Sequence, residues 1–84
     1  MKNKVIHVAI YGREHALSYD KKIKNLAVEY TVQVHDRLLK QKGVDNYRFH
    51  VYSKNVVFPD GTQSQQEKEI KQTIAQAIME QDRL

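Results

Sequence analysis

Hydrophobic residues between Ser18 and Gly43 recur at spacings of three and four. The apolar and aromatic side chains that share this spacing are Tyr19, Ile23, Leu26, Ala27, Tyr30, Val34 and Leu38. Such a spacing is typical of one face of an α-helix. Ser18 or Asp20 can cap the start, and Gly43 suits the position just after a helix end. The pattern therefore predicts one long helix that begins near Ser18 and ends just before Gly43.

Part of this stretch also fits a β-strand. Between Val28 and His35 the residues alternate, with Val28, Tyr30, Val32 and Val34 separated by Glu29, Thr31, Gln33 and His35. Alternation of this kind indicates a half-buried strand. We favour the helix because no turn signal separates the stretch from the helical pattern around it, and the strand stays open as the alternative.

Three short strands and a second helix are predicted elsewhere in the chain. Alternating hydrophobic residues predict strands over 4–11 and 47–53, and the short apolar run over 56–58 can form a third strand. Ser64 and Glu67 form a capping box, and the helix that follows runs from Gln65 to about Gln81. Its buried stripe is expected to comprise Ile70, Ile74, Ala77 and Ile78. The resulting order of elements is β-α-β-β-α.

This order predicts an α+β fold in one small domain spanning residues 1–84. The first two strands would be parallel neighbours, joined by the long helix in a right-handed crossover. Both helices would then cover one face of a three-stranded sheet, which gives a two-layer sandwich. The expected core comprises Ile6, Val8, Ile10, Ile23, Leu26, Tyr30, Val34, Leu38, Phe49, Val51, Ile70, Ile74 and Ile78.

Composition narrows the range of functions. The chain of 84 residues has no cysteine, which excludes disulfides, thiolate metal sites and cysteine catalysis. No apolar run approaches the roughly 20 residues of a membrane span, so a cytoplasmic protein without membrane contact is expected. The formal net charge is +4, with acids and bases interleaved. This balance permits contact with nucleic acid without requiring it.

The long predicted helix has a second apolar face. Val28, Val32 and Leu39 lie opposite its main stripe at about 100° per residue, and His35 lies among them. A helix with two apolar faces is usually covered on both sides. We therefore predict a protein interface there, formed with a second copy of the chain or with another protein. The alternative is an ordinary surface with scattered valines.

The uncovered face of the predicted sheet is a second candidate binding surface. It would carry His7, Tyr11, Arg48, His50 and Tyr52. Aromatic and basic side chains on an open sheet are suited to stacking bases and holding phosphates. The same residue types also suit the solvent-facing side of any sheet. Nucleic-acid binding is thus the alternative function to protein contact.

The sequence offers little for catalysis or metal binding. His7 and His50 would be neighbours if their strands paired, but no third ligand stands at a suitable spacing. Nucleophile, phosphate-loop and zinc-protease motifs are absent from the sequence. We expect no cofactor, no metal and no small-molecule substrate, and an enzyme is the least favoured class.

The order of elements and the run from Tyr47 to Ile70 resemble the DinI-like proteins, which are small modulators of the RecA filament. The resemblance covers the chain from about Ile6 to Glu80. It implies a β-α-β-β-α fold and a non-enzymatic regulator that contacts the recombinase through an acidic last helix. The residues that match this acidic character are Glu67, Glu69, Glu80 and Asp82.

Overall fold

The computed structural model of the chain describes residues 4–59, 61 and 64–82. In this part of the chain the elements are β1 Lys4–Ile10, β2 Arg13–Lys24, β3 Ala27–Val34, α1 Arg37–Gln41, β4 Tyr47–Tyr52, β5 Asn55–Val57 and α2 Gln65–Gln81. Each strand pairs antiparallel with the next one along the chain, so the sheet order is β1-β2-β3-β4-β5. The chain is therefore a small α+β domain built on an antiparallel meander.

The predicted long helix is wrong. Its residues form the second half of β2, a turn, β3 and the five-residue helix α1. The alternation after Val28 decides this region, because Tyr30, Val32 and Val34 are buried while Thr31 between them is exposed. The three-stranded sheet and the β-α-β-β-α order, which the DinI-like resemblance also implies, are wrong for the same reason.

The turn between β2 and β3 explains why the helical pattern misleads. Asn25 and Leu26 connect the two strands, and neither adopts a positive φ. A turn of this kind needs no glycine, so it leaves little trace in the sequence. By contrast, Gly12 follows β1 with a φ of 77°, and it marks that turn clearly.

The core lies between one face of the sheet and α2. Strand register places Leu17 opposite Val34, and Tyr30 opposite Phe49 with their rings stacked at 4.9 Å. The predicted core residues that are buried here are Ile6, Val8, Ile10, Tyr30, Val34, Phe49, Ile70, Ile74 and Ile78, and Val51 is partly buried. The exceptions are Ile23, Leu26 and Leu38, which are exposed. They belong to the stripe of a helix that does not form.

The second predicted helix is confirmed as α2. Ser64 is its N-cap, and its Oγ accepts a hydrogen bond from the backbone N–H of Glu67 at 3.1 Å. Ile70, Ile74 and Ile78 are buried against the sheet, as the stripe predicts. Because α2 packs on one face, side chains that alternate to the other face are left exposed, including His7, Thr31 and Arg48.

Candidate binding surface on the open sheet face

Strand register places a group of polar side chains together on the open face. Lys22 lies opposite Glu29, which in turn lies opposite His50 on β4. Directly opposed residues of antiparallel strands share a face. Residues two positions apart along a strand also share a face, which adds Lys24 on β2 and both Arg48 and Tyr52 on β4. We call this surface the arm face, and it consists of Lys22, Lys24, Glu29, Arg48, His50 and Tyr52.

The hairpin of β2 and β3 extends beyond β1 and contributes Lys22, Lys24 and Glu29 to the arm face. β2 has twelve residues, and its last part is paired with β3 beyond the point where Tyr19 pairs with Lys4 of β1. The side chains of this last part are exposed from Lys21 to Lys24. Alternation places Lys22 and Lys24 on the open face, where β3 separates them from the side chains of β4.

Glu29 is the electrostatic centre of the arm face. Its Oε2 lies 2.9 Å from His50 Nε2, 3.5 Å from Lys24 Nζ and 3.9 Å from Arg48 Nη1. The hydrogen bond from His50 lowers the pKa of Glu29 against the opposing effect of burial, and Lys24 lowers it further. The carboxylate therefore stays ionised at neutral pH and draws three basic side chains into one group.

Tyr52 supplies an aromatic surface next to this group. Its side chain is 43% exposed, and its ring meets that of His50 edge-on at 6.2 Å between centroids. A half-exposed ring held by a neighbouring side chain can stack on a planar ligand. The arm face thus combines cations, a carboxylate and an aromatic ring.

The structure brings together three of the five side chains predicted for nucleic-acid contact. Arg48, His50 and Tyr52 follow one another on the open face of β4. His7 is also on the open face, but β2 and β3 separate it from β4, so it is not a neighbour of His50. Tyr11 lies in the β1–β2 turn, with Lys42 Nζ 5.7 Å from its ring centroid.

Sequence reasoning missed Lys22, Lys24 and Glu29. All three fall inside the stretch for which the sequence pattern predicts a long helix, and none of them belongs to a predicted binding surface. The alternation that follows Val28 is the signal that could have found them, since it puts Glu29 on the open face. Pairing this strand with the segment before it would then have placed Lys22 and Lys24 on the same face.

The four residues predicted as a protein interface do not form one exposed patch. Val32 and Leu39 are fully buried in the core, and Val28 packs against it partly buried. Only His35 is exposed, with its Nε2 3.1 Å from Ser18 Oγ. A strand, unlike a helix, turns Val28 and Val32 to the same side as Tyr30. A charge placed at Val32 would therefore enter the core.

Two further ionic clusters tie elements together. His15 is buried and its Nδ1 contacts Asp36 Oδ2, while Asp36 Oδ1 accepts from the Leu38 N–H and caps α1. The hydrogen bond with His15 lowers the pKa of Asp36. Asp82 binds Lys4 and Lys21 at the end of α2. Both clusters join residues that are far apart in the sequence.

The part of the chain that the structure describes holds no group of three or more histidine, aspartate or glutamate side chains placed to bind a metal ion. Among residues 4–59, 61 and 64–82, neither helix has the length and apolar character that crossing a membrane requires. Comparison with protein-family models, with curated proteins and with solved structures finds no match for this chain.

Proposed function

We propose that the protein is a non-enzymatic module that binds single-stranded nucleic acid on the arm face. The observation that carries this proposal is the grouping of Arg48, His50 and Tyr52 with Lys22 and Lys24 on one exposed surface. Cations that follow a backbone and an aromatic ring that stacks a base are the two parts of a single-strand binding surface.

The ring of Tyr52 favours a single strand over a duplex. Bases in a duplex present only their edges, whereas an unpaired base can offer its whole face to an aromatic side chain. Lys22 and Lys24 on β2 are separated from His50 and Tyr52 on β4 by the intervening strand β3, that is by two strand spacings of about 4.8 Å each. The cations and the ring are thus spaced to hold a phosphate and a base of the same strand.

The charges on this surface imply moderate affinity. Asp20 lies opposite Thr31, which lies opposite Arg48, so this carboxylate shares the open face with the arginine. Together with Glu29 it offsets part of the positive charge. Stacking on Tyr52 must therefore contribute a substantial share of the binding energy, because the electrostatic attraction to phosphate is partly cancelled.

Fluorescence anisotropy with labelled single-stranded RNA and DNA of about 12 nucleotides tests the proposal at low salt. Tyr52→Ala should weaken binding about tenfold, since stacking on one ring is worth roughly 1–3 kcal/mol per base. Arg48→Ala should also weaken binding, because it removes a cation that would hold a phosphate. Tyr11→Ala is the control, because Tyr11 is another exposed tyrosine, at 61% against 43% for Tyr52, and it lies in the turn between β1 and β2.

A titration of both nucleic acids without signal would contradict the proposal. Equal losses for Tyr52→Ala and Tyr11→Ala would contradict it as well, because they would show that the arm face has no special role. Circular dichroism spectra that match the wild type are required of each variant, so that unfolding does not imitate a loss of binding.

Protein contact is the other function that the sequence predicts. The recombinase contact implied by the DinI-like resemblance needs a free acidic surface on the last helix. Glu67 forms an ion pair with Lys71 at 2.7 Å, and Asp82 binds Lys4 and Lys21. Two of the four matching acids are thus engaged within the protein. This observation favours nucleic acid, and protein contact stays a prediction.

A further inference from the structure

A shallow hollow opens on the arm face between the β2–β3 turn and β4. Its volume is about 260 Å³, and its lining includes Lys24, Asn25, Leu26, Glu29, His50 and Tyr52. Leu26, 87% exposed, and Tyr52, 43% exposed, both line it. Glu29 and His50 form a hydrogen-bonded pair that also lines the hollow. The lining therefore combines apolar surface with polar groups.

We propose that this hollow receives one unstacked nucleobase and prefers bases that carry an amino group. The inference rests on the proposed binding of single-stranded nucleic acid and names the part of the ligand that the surface reads. Leu26 and Tyr52 would supply the apolar contacts to the base, and Lys24 would meet its phosphate.

Leu26 is the first reason for this assignment. It occupies a turn, a position in which polar residues or glycine are usual, and it is the most exposed large hydrophobic residue in the described part of the chain. Its side chain contributes nothing to the core. A leucine at the edge of a hollow that a tyrosine also lines gains contact area when a flat apolar ligand lies against both side chains.

Glu29 is the second reason, and it sets the preference. An ionised carboxylate accepts hydrogen bonds and cannot donate them. Adenine, cytosine and guanine carry an exocyclic amino group that donates, whereas thymine and uracil carry none. His50 holds the carboxylate in place through the 2.9 Å contact with Oε2. A cytosine should thus be bound in preference to a thymine of nearly the same size.

Oligo-dC and oligo-dT of equal length provide the test with the full chain. Wild-type protein should bind oligo-dC about tenfold more tightly, in line with the discrimination of one good base contact. Glu29→Gln should bring the ratio close to one, because an amide can also donate to thymine O4. The same variant should hold or raise affinity for oligo-dT, since it removes a negative charge from the binding surface.

Leu26→Ala should weaken binding of both oligonucleotides severalfold. Its matched control is Ile23→Ala, which truncates another exposed aliphatic residue of the same hairpin on the opposite face and should change neither affinity. Both side chains are largely exposed, so neither truncation should disturb folding.

Three results would overturn the base-binding hollow. They are equal wild-type affinity for oligo-dC and oligo-dT, an unchanged ratio in Glu29→Gln, or equal effects of Leu26→Ala and Ile23→Ala. In each of these cases the oligonucleotides still bind, so the proposed function stands. Failure of the proposed function gives a different result, because neither oligonucleotide would then bind the wild type at low salt.

Discussion

A single residue, Asp82, connects the end of α2 to three side chains of the sheet. Its side chain is 5% exposed and binds Lys4 Nζ at 3.0 Å and Lys21 Nζ at 2.9 Å. Tyr30 donates its hydroxyl to the same carboxylate at 2.9 Å. A carboxylate at a helix C-terminus meets the negative end of the helix dipole, and the two lysines offset this repulsion.

The pKa of Asp82 makes this contact pH-dependent. Burial alone would raise it, but the hydrogen bonds from Lys21, Lys4 and Tyr30 outweigh burial and lower the pKa from 3.8 to about 2. A carboxyl whose pKa falls on folding stabilises the folded state when it is ionised. The contribution of Asp82 is therefore present at pH 7 and is lost as the pH falls from about 4 to about 2.

Asp82→Asn should lower the free energy of unfolding by about 2 kcal/mol at pH 7. The difference from the wild type should shrink toward pH 2, where the wild-type carboxyl is itself about half protonated. Urea unfolding followed by circular dichroism at the two pH values measures both quantities. Glu80→Gln, an exposed carboxylate in the same last turn, is the control and should have little effect. An equal loss at both pH values would show that Asp82 acts through shape alone.

At the scale of elements, the sequence predicts the helices and strands whose ends are marked by a capping or turn residue. The capping serine Ser64 marks the start of α2, and Gly12 marks the end of β1. The alternation of Tyr47 and Phe49 predicts β4, which also yields Arg48, His50 and Tyr52 for the site.

The remaining elements depend on pairing between segments that are apart in the sequence. Tyr19 and Val32 become buried because β2 and β3 align them on the core face. The periodicity of one segment does not show which other segment it pairs with, and the intrinsic preference of residues for helix or strand is weak compared with tertiary packing. The turn at Asn25 and Leu26 has no positive φ and therefore needs no glycine that would mark it in the sequence. Without that turn, the sequence does not predict that Lys22, Lys24 and Glu29 share the open face.

The β4–β5 turn offers a test at this scale. Ser53 and Lys54 adopt φ values of 46° and 71°, a region that costs most side chains energy. Lys54→Gly should raise stability by about 0.5–1 kcal/mol, which corresponds to a few degrees in Tm. Thermal unfolding followed by circular dichroism measures the shift. Asn25→Gly is the control and should lower Tm, because its φ is not positive and glycine only adds freedom to the unfolded chain. A lower Tm for Lys54→Gly would refute this account of the turn.

At the scale of the whole molecule, the covered and open faces of the sheet separate stability from binding. Ile70, Ile74 and Ile78 of α2 fill the covered face with apolar contacts. The open face takes no part in that core, so Lys22 and Lys24 can change without loss of packing. The net charge of +4 is spread over the whole chain, which raises the question of whether it or the arm face would attract nucleic acid.

The salt dependence of binding answers that question. Each phosphate neutralised on a single strand contributes about −0.7 to the slope of log K against log salt concentration. Three cations on the arm face, Lys22, Lys24 and Arg48, therefore predict a slope of about −2. Lys24→Ala should reduce its magnitude by about 0.7, whereas Lys68→Ala, an exposed lysine on α2, should leave it unchanged. If overall charge drove binding instead, both variants would reduce the slope equally, and the arm face would lose its electrostatic role.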